Sequence, residues 1–146
     1  MFTIVHRIAT TEPAEKVLDA LTTIDGLADW WTTDVSGSAS AGGISAFRFG
    51  ENGGFDIAVT SVAPDHVGWH VVDGPAEWIG TDIDWRITRD GDYNVVLFEH
   101  RGWREQAEFM YHCSTKWAVF LQSLKALVET GTGAPAPRDV QISNWH

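Results

Sequence analysis

Residues 105–130, EQAEFMYHCSTKWAVFLQSLKALVET, run for about seven helical turns without a Gly or a Pro. Phe109, Cys113, Trp117, Phe120, Leu124, Leu127 and Val128 recur at three- and four-residue steps, so they share one face of a helix. Glu108, Lys116, Gln122, Lys125 and Glu129 fall largely off that face. Gly131 stands where such a helix commonly stops. A long helix with one apolar stripe needs a large apolar surface to lie on. The preceding residues must therefore build that surface.

They read as strands. Phe2–Ala9 alternates, with Phe2, Ile4, His6 and Ile8 on one side. Thr11 is placed to cap a first short helix with Pro13 in its first turn, and Val17, Leu18 and Leu21 form its buried stripe. Asp25-Gly26 breaks it, and Leu27, Trp30 and Trp31 predict a second short helix ending near Thr32. The small residues of Val35–Gly43 read as a flexible turn region. Five strands follow, at Ile44–Phe49, Phe55–Val62, Val67–Val72, Thr81–Arg89 and Tyr93–Arg101. Asn52-Gly53-Gly54 and Asp90-Gly91 punctuate them as hairpin turns. Strands with segregated helices predict an α+β domain: a curved antiparallel sheet of about six strands wrapped around the long helix. One domain is expected over 1–133, with an irregular tail at 134–146. Val140–His146 is free either to pack over the domain or to hang loose.

Composition restricts what such a domain meets. The net charge of -10 disfavours phosphate backbones, so no nucleic-acid partner is expected. No segment approaches about 18 consecutive apolar residues, so no membrane span is expected. The N-terminus lacks a basic region followed by a long apolar run, so no signal peptide is expected. The one cysteine, Cys113, cannot form an intrachain disulfide, which suits a cytoplasmic location.

The order of elements and several local signatures resemble the SRPBCC superfamily, the START-like or birch-pollen-allergen-like helix-grip fold. Within it the chain is similar to the bacterial group named after the activator of the heat-shock-protein ATPase homologue. The residues that carry the likeness are Gly26-Leu27-Ala28-Asp29-Trp30-Trp31, Trp78-Ile79-Gly80-Thr81 and Phe98-Glu99-His100-Arg101-Gly102-Trp103. On the long helix they are Cys113-Ser114-Thr115-Lys116-Trp117 and Leu121-Gln122-Ser123-Leu124-Lys125. The resemblance covers about residues 2–133 and implies a cavity between the long helix and the sheet. Members of the superfamily bind apolar ligands such as lipids, sterols and polyketides, act as cyclases, or bind partner proteins.

Strand and helix phase then select the residues that face the helix–sheet space. Phe49, Ile57, Trp69, Trp85, Phe98 and His100 come from strands; Phe109, Cys113 and Trp117 come from the helix; Trp30 and Trp31 stand at one end. Eight tryptophans in 146 residues can line a pocket for an aromatic molecule or simply fill a core. His100 is the polar candidate, able as a neutral imidazole to bond a ligand oxygen or move a proton. His6, His100, His112 and Cys113 do not form a ligand spacing, so no metal is expected. No cofactor is expected, and neither glycine pair matches a phosphate-binding pattern. Cys113, on an aromatic-rich face, reads as a small hydrophobe. Asp82, Asp84 and Arg86 share an outward phase and read as a solvated face with ordinary ion pairing.

The leading expectation is a module, monomeric or homodimeric, that binds a small hydrophobic or aromatic, lipid- or polyketide-like molecule. The alternatives are an enzyme of the same fold using His100 in cyclase- or hydrolase-like proton transfer, and a co-chaperone-like protein-interaction domain.

Overall fold

The computed structural model describes residues 1–51 and 53–146; Asn52, and with it part of the expected hairpin signal at 52–54, lies outside the described residues. β1 (Phe2–Thr10) leads into α1 (Ala14–Thr22) and α2 (Ile24–Trp30). β2 (Asp34–Gly37), β3 (Ile44–Arg48), β4 (Gly54–Ala63), β5 (His66–Asp73), β6 (Asp82–Asp90) and β7 (Tyr93–Trp103) follow, then α3 (Glu108–Thr130). The strands form one curved antiparallel sheet in the order β1-β7-β6-β5-β4-β3-β2. From β2 to β7 the chain runs as a meander across the sheet, and β7 arrives alongside β1. With α3 across the concave face, this is an α+β helix-grip fold.

The sheet has seven strands where the alternation indicated six. The added strand, β2, falls in the region read as a turn: Asp34–Gly37 pairs with Ser45–Arg48 of β3. Four residues of mixed polarity carry no legible period, and the partner supplies the order. Phe2 shares phase with Ile4 but is 41% exposed. A register shift between Phe2 and Thr3 takes it out of the alternation.

The helix starts also differ. Thr11 is not the cap of α1; Pro13 holds that place, and its carbonyl accepts from the Lys16 N–H at 3.1 Å. The break between the short helices is at Thr23 rather than Asp25-Gly26. The Thr23 hydroxyl accepts from the Gly26 N–H at 3.0 Å and so caps α2. Gly26 lies inside α2, where a Cβ would stand 2.7 Å from the Ala20 Cα and from the Asp19 carbonyl oxygen. Its missing side chain lets α2 fold back against α1.

α3 starts at Glu108, three residues after the expected Glu105, and ends as predicted: Gly131 is left-handed (φ 83°) and returns its N–H to Leu127 O at 2.8 Å. Its buried residues are Met110, Cys113, Trp117, Phe120, Leu121, Ser123, Leu124 and Val128. Leu121 and Leu124, each 1% exposed, form the dry centre of the stripe.

One polar chain crosses this apolar interface. The indole N–H of Trp117 donates to Nδ1 of His100 at 3.1 Å. An indole can only donate, so Nδ1 accepts and the neutral ring carries its proton on Nε2. Nε2–H then donates to the Thr81 hydroxyl at 2.8 Å, which donates in turn to the Trp78 carbonyl at 2.6 Å. His100 and Thr81 are both 0% exposed. Burial pushes the His100 imidazole down to about 3 from its ordinary 6.5.

Two outcomes follow for stability. The His100 value is lower in the folded chain than in the unfolded one, so protonation favours unfolding. Its contribution is complete above about pH 6.5 and is lost as the pH falls toward 3, at about 1.4 kcal/mol per pH unit. Urea unfolding midpoints from pH 7 to 4 should therefore fall more shallowly in His100→Gln than in wild type, by about one proton; parallel slopes would contradict the buried neutral imidazole. Gly26→Ala should destabilise by about 1–3 kcal/mol, although helix propensity alone favours Ala by about 1 kcal/mol; a stabilised variant would show that the two short helices can part cheaply.

Candidate functional site

Toward the N-terminal half of α3 the apolar filling stops and a cavity of about 770 Å³ opens. Five stretches wall it. α3 contributes Phe109, His112, Cys113, Lys116, Trp117 and Phe120. The β3–β4 hairpin contributes Arg48, Phe49 and Phe55, and the end of α2 leads in with Trp31, Thr32, Thr33 and Asp34. Pro75 and Trp78 come from the β5–β6 loop. Ala136, Pro137, Asp139, Trp145 and His146 come from the segment after α3.

The walls are mainly aromatic faces. Trp31 is the hub, with ring centroids of Phe47, Trp117 and Phe55 at 4.4, 5.1 and 5.3 Å. It is stacked between Trp30 at 5.5 Å and Trp69 at 5.7 Å, with interplanar angles of 6° and 3°. Trp78 stacks on Phe55 at 4.2 Å and lies nearly parallel to Trp117 at 5.9 Å. Parallel rings of this kind leave flat, rigid walls.

Of the residues that phase pointed to the helix–sheet space, Trp31, Phe49, Phe109, Cys113 and Trp117 line this cavity. Trp30, Ile57, Trp69, Trp85 and Phe98 are each at most 2% exposed and pack behind or beside it in the core. Trp30 also donates its indole N–H to Ala20 O at 2.8 Å, tying α2 to α1. His100 stands behind Trp117 with both ring nitrogens engaged. A proton-transfer role would require it to break one of those bonds and reach past the indole. Burial pushes the Cys113 thiol up to about 12, against a smaller opposite pull from the Trp78 indole. That indole N–H lies near the thiol yet makes no bond of hydrogen-bonding geometry among the described residues. Cys113 is therefore a neutral wall residue at physiological pH.

Phase did not bring forward Phe55, Trp78, Phe120 or Lys116 as wall residues. Trp78 sits in a loop, where periodicity is silent. Phe120 was on the helix stripe, but the stripe does not say where filling ends and space begins. Lys116 falls off the stripe, and its ammonium is drawn inward by Asp139, which only the fold brings near.

The outer face of the sheet carries the expected ion pairing and more. His66 bonds Asp84 at 2.7 Å, His70 bonds Asp82 at 2.8 Å, and Arg101 pairs with Asp84. Ser61 lies 3.1 Å from the other nitrogen of His66, which gives the bond order of nucleophile, base and orienting acid. Ser61 nevertheless packs over the bare backbone of Gly68, where a Cβ would come within 2.7 Å of its hydroxyl, so it faces protein rather than a cleft. Among the described residues no cluster of three or more His, Cys, Asp or Glu side chains is arranged to hold a metal ion. Among the described residues no helix is long and apolar enough to cross a membrane.

No functionally curated protein matches the chain. Solved structures do. An Aha1 dimer from Colwellia psychrerythraea is 43% identical, with a TM-score of 0.83, over 91% of this chain and 100% of that one. CalU16 from Micromonospora echinospora matches with a TM-score of 0.75 at 18% identity, over 97% of this chain and 74% of that one. DynU16, a protein of the dynemicin biosynthetic locus, matches at 0.73 and 20% identity, over 90% of this chain and 48% of that one. At such identities the last two speak to the fold alone. The model of the family described as Activator of Hsp90 ATPase homolog 1-like protein matches residues 11–129. With the seven-stranded sheet closed over α3, the chain belongs to that family and, through it, to the SRPBCC superfamily.

Proposed function

We propose that this protein binds a small, flat, hydrophobic or aromatic molecule in the cavity beside the N-terminal half of α3. The observation that carries the reading is about 770 Å³ of space walled by Trp31, Phe49, Phe55, Trp78, Phe109 and Trp117. Small-molecule sites occupy roughly 300–1,000 Å³ and are lined mostly by apolar and aromatic groups with a few polar ones. Phe49 and Phe109 are only partly buried, so the aromatic walls extend toward solvent. A guest stacked there removes that surface from water at about 25 cal/mol per Å².

An enzyme of this fold working through His100 is the weaker reading, because both nitrogens of that ring are spent on holding α3 to the sheet. Self-association has separate support. The 43% identical Aha1 relative is a dimer, and we infer that this chain also forms a homodimer. The lone buried thiol of Cys113 suits a cytoplasmic location.

The test uses 1-aminoanthracene, a flat, neutral fluorophore, titrated into the full-length protein. Saturable binding with energy transfer from tryptophan is expected. Phe49→Ala should weaken it by about tenfold, the worth of one stacked ring at about 1.4 kcal/mol. Cys113→Trp should put an indole between the aromatic walls and weaken it at least as much, with circular dichroism confirming that both variants fold. Non-saturable emission, or equal affinity in folded wild type and both variants, would remove the cavity as the binding site. Light scattering on the same sample should return twice the chain mass; the mass of one chain at micromolar concentration would refute the homodimer.

A further inference from the structure

The segment after α3 divides into two parts that are held very differently. Residues 134–136 are fastened by backbone. Ala134 N–H donates to the Ser123 hydroxyl at 2.7 Å, Ala136 N–H donates to Trp31 O at 2.8 Å, and Thr33 N–H donates to Ala136 O at 3.1 Å. Gly133 allows this close approach, since a Cβ there would meet Asp29 O at 2.4 Å. Beyond Arg138 the attachment changes. Residues 139–146 touch α3 through two catches one turn apart, Lys116 and His112. The Lys116 ammonium pairs with the Asp139 carboxylate and donates to Val140 O at 2.7 Å. His112 bonds the Ser143 hydroxyl at 3.2 Å and meets the Trp145 ring edge-on at 5.4 Å. His146 closes back on Asp139 at 3.3 Å. Val140 and Trp145 remain 62% and 49% exposed, so little apolar burial supplements these contacts.

The ion pair matters because of where it is. The side chains of Lys116 and Asp139 are 13% and 2% exposed, and both line the aromatic cavity. The other cation of the wall, Arg48, is already paired with Asp56 at 2.9 Å. Asp139 is the one carboxylate that Lys116 meets among the described residues. Lifting the segment would leave the ammonium with the Phe120 ring, 5.6 Å from its centroid, and no anion, a poorer state than the ion pair unless another anion takes the place. The cavity thus holds, in Asp139, a copy of the group that a guest would have to bring.

We propose that residues 139–146 are a displaceable strap over the cavity, and that the natural guest is an aromatic acid whose carboxylate takes Lys116 from Asp139. This rests on the cavity being a ligand site and adds the guest's charge and its competition with the strap. The guest's carboxylate and that of Asp139 exclude one another at Lys116, so binding of an acid opens the strap, and weakening the Asp139 contact favours the acid. A neutral guest of the same shape gains nothing at Lys116.

The experiment compares 2-naphthoate with its neutral counterpart 2-naphthamide by calorimetry, on wild type, Asp139→Asn and the neutral pair Lys116→Met/Asp139→Asn. Asp139→Asn should bind 2-naphthoate about tenfold tighter than wild type, the scale of one freed charge-assisted hydrogen bond. Its affinity for 2-naphthamide should change far less, so the preference for the acid over the amide rises by about that factor. The double variant should bind both compounds alike, and it guards against a variant that merely leaves one charge unpaired. In wild type, saturating 2-naphthoate should speed trypsin cleavage after the exposed Arg138, and 2-naphthamide should not. If 2-naphthamide binds Asp139→Asn as tightly as 2-naphthoate does, or cleavage after Arg138 is indifferent to bound 2-naphthoate, the strap and the acid are refuted while the aromatic cavity stands. If folded Asp139→Asn binds neither compound, both readings fall.

Discussion

The bond from the Trp117 indole to His100 joins the two halves of this fold. A helix resting on a sheet through aliphatic contacts alone can slide or rotate at small cost, because hydrophobic burial has no direction. The indole N–H reaches a nitrogen that accepts only if the ring proton is on the other side, and that proton needs the Thr81 hydroxyl. Each member therefore fixes the orientation of the next, from α3 through β7 to the end of the β5–β6 loop at the Trp78 carbonyl. The same loop carries the Trp78 ring onto Phe55 of β4. One polar chain inside an apolar layer thus sets the angle at which two flat aromatic walls face each other. Fully satisfied buried networks have this effect, since breaking any one bond leaves its partner stranded.

The division between filled and open space follows from the same geometry. Beneath the C-terminal half of α3 the helix meets α1, α2 and β1, and Leu121, Leu124 and Val128 pack closely, with a space of only about 10 Å³ beside Val17, Leu124 and Val128. Further back, the β3–β4 hairpin and the β5–β6 loop stand away from α3, and rigid rings cannot collapse into the space between them. Leucines would have closed such a gap by changing rotamer. Large planar side chains locked in stacked and edge-to-face contacts keep it open, so the density of tryptophan that stabilises the core also maintains the cavity. The 139–146 segment lies against that opening chiefly by polar contacts, the buried Lys116–Asp139 pair among them, while Val140 and Trp145 stay exposed.

How far the sequence could be read depended on whether a residue's partner was local. Periodicity found α3, its stop at Gly131, six of the seven strands and the alternation in β6 and β7, because those signals repeat within a few residues. It missed β2, which is too short and too mixed to show a period and is a strand only because β3 lies beside it. It placed the helix break at Asp25-Gly26, where glycine serves instead as a close contact between α1 and α2. For the site, phase offered Trp30 and Trp85 alongside Trp31 and Trp117, and all four are buried. It could not tell those that touch space from those that touch each other.

The sequence by itself determined the class of fold and the residues available to its interior. A stripe on one long helix and alternation on the strands are local consequences of backbone geometry, and they admit few ways of burying the apolar faces. The tertiary structure alone decided where the interior is empty, that His100 is a strut behind the wall, and that Lys116 meets Asp139 across 23 residues. Cavities and ion pairs of that kind are set by distances between elements. Those distances come from the summed packing of side chains far apart in the chain, for which no residue carries a local sign.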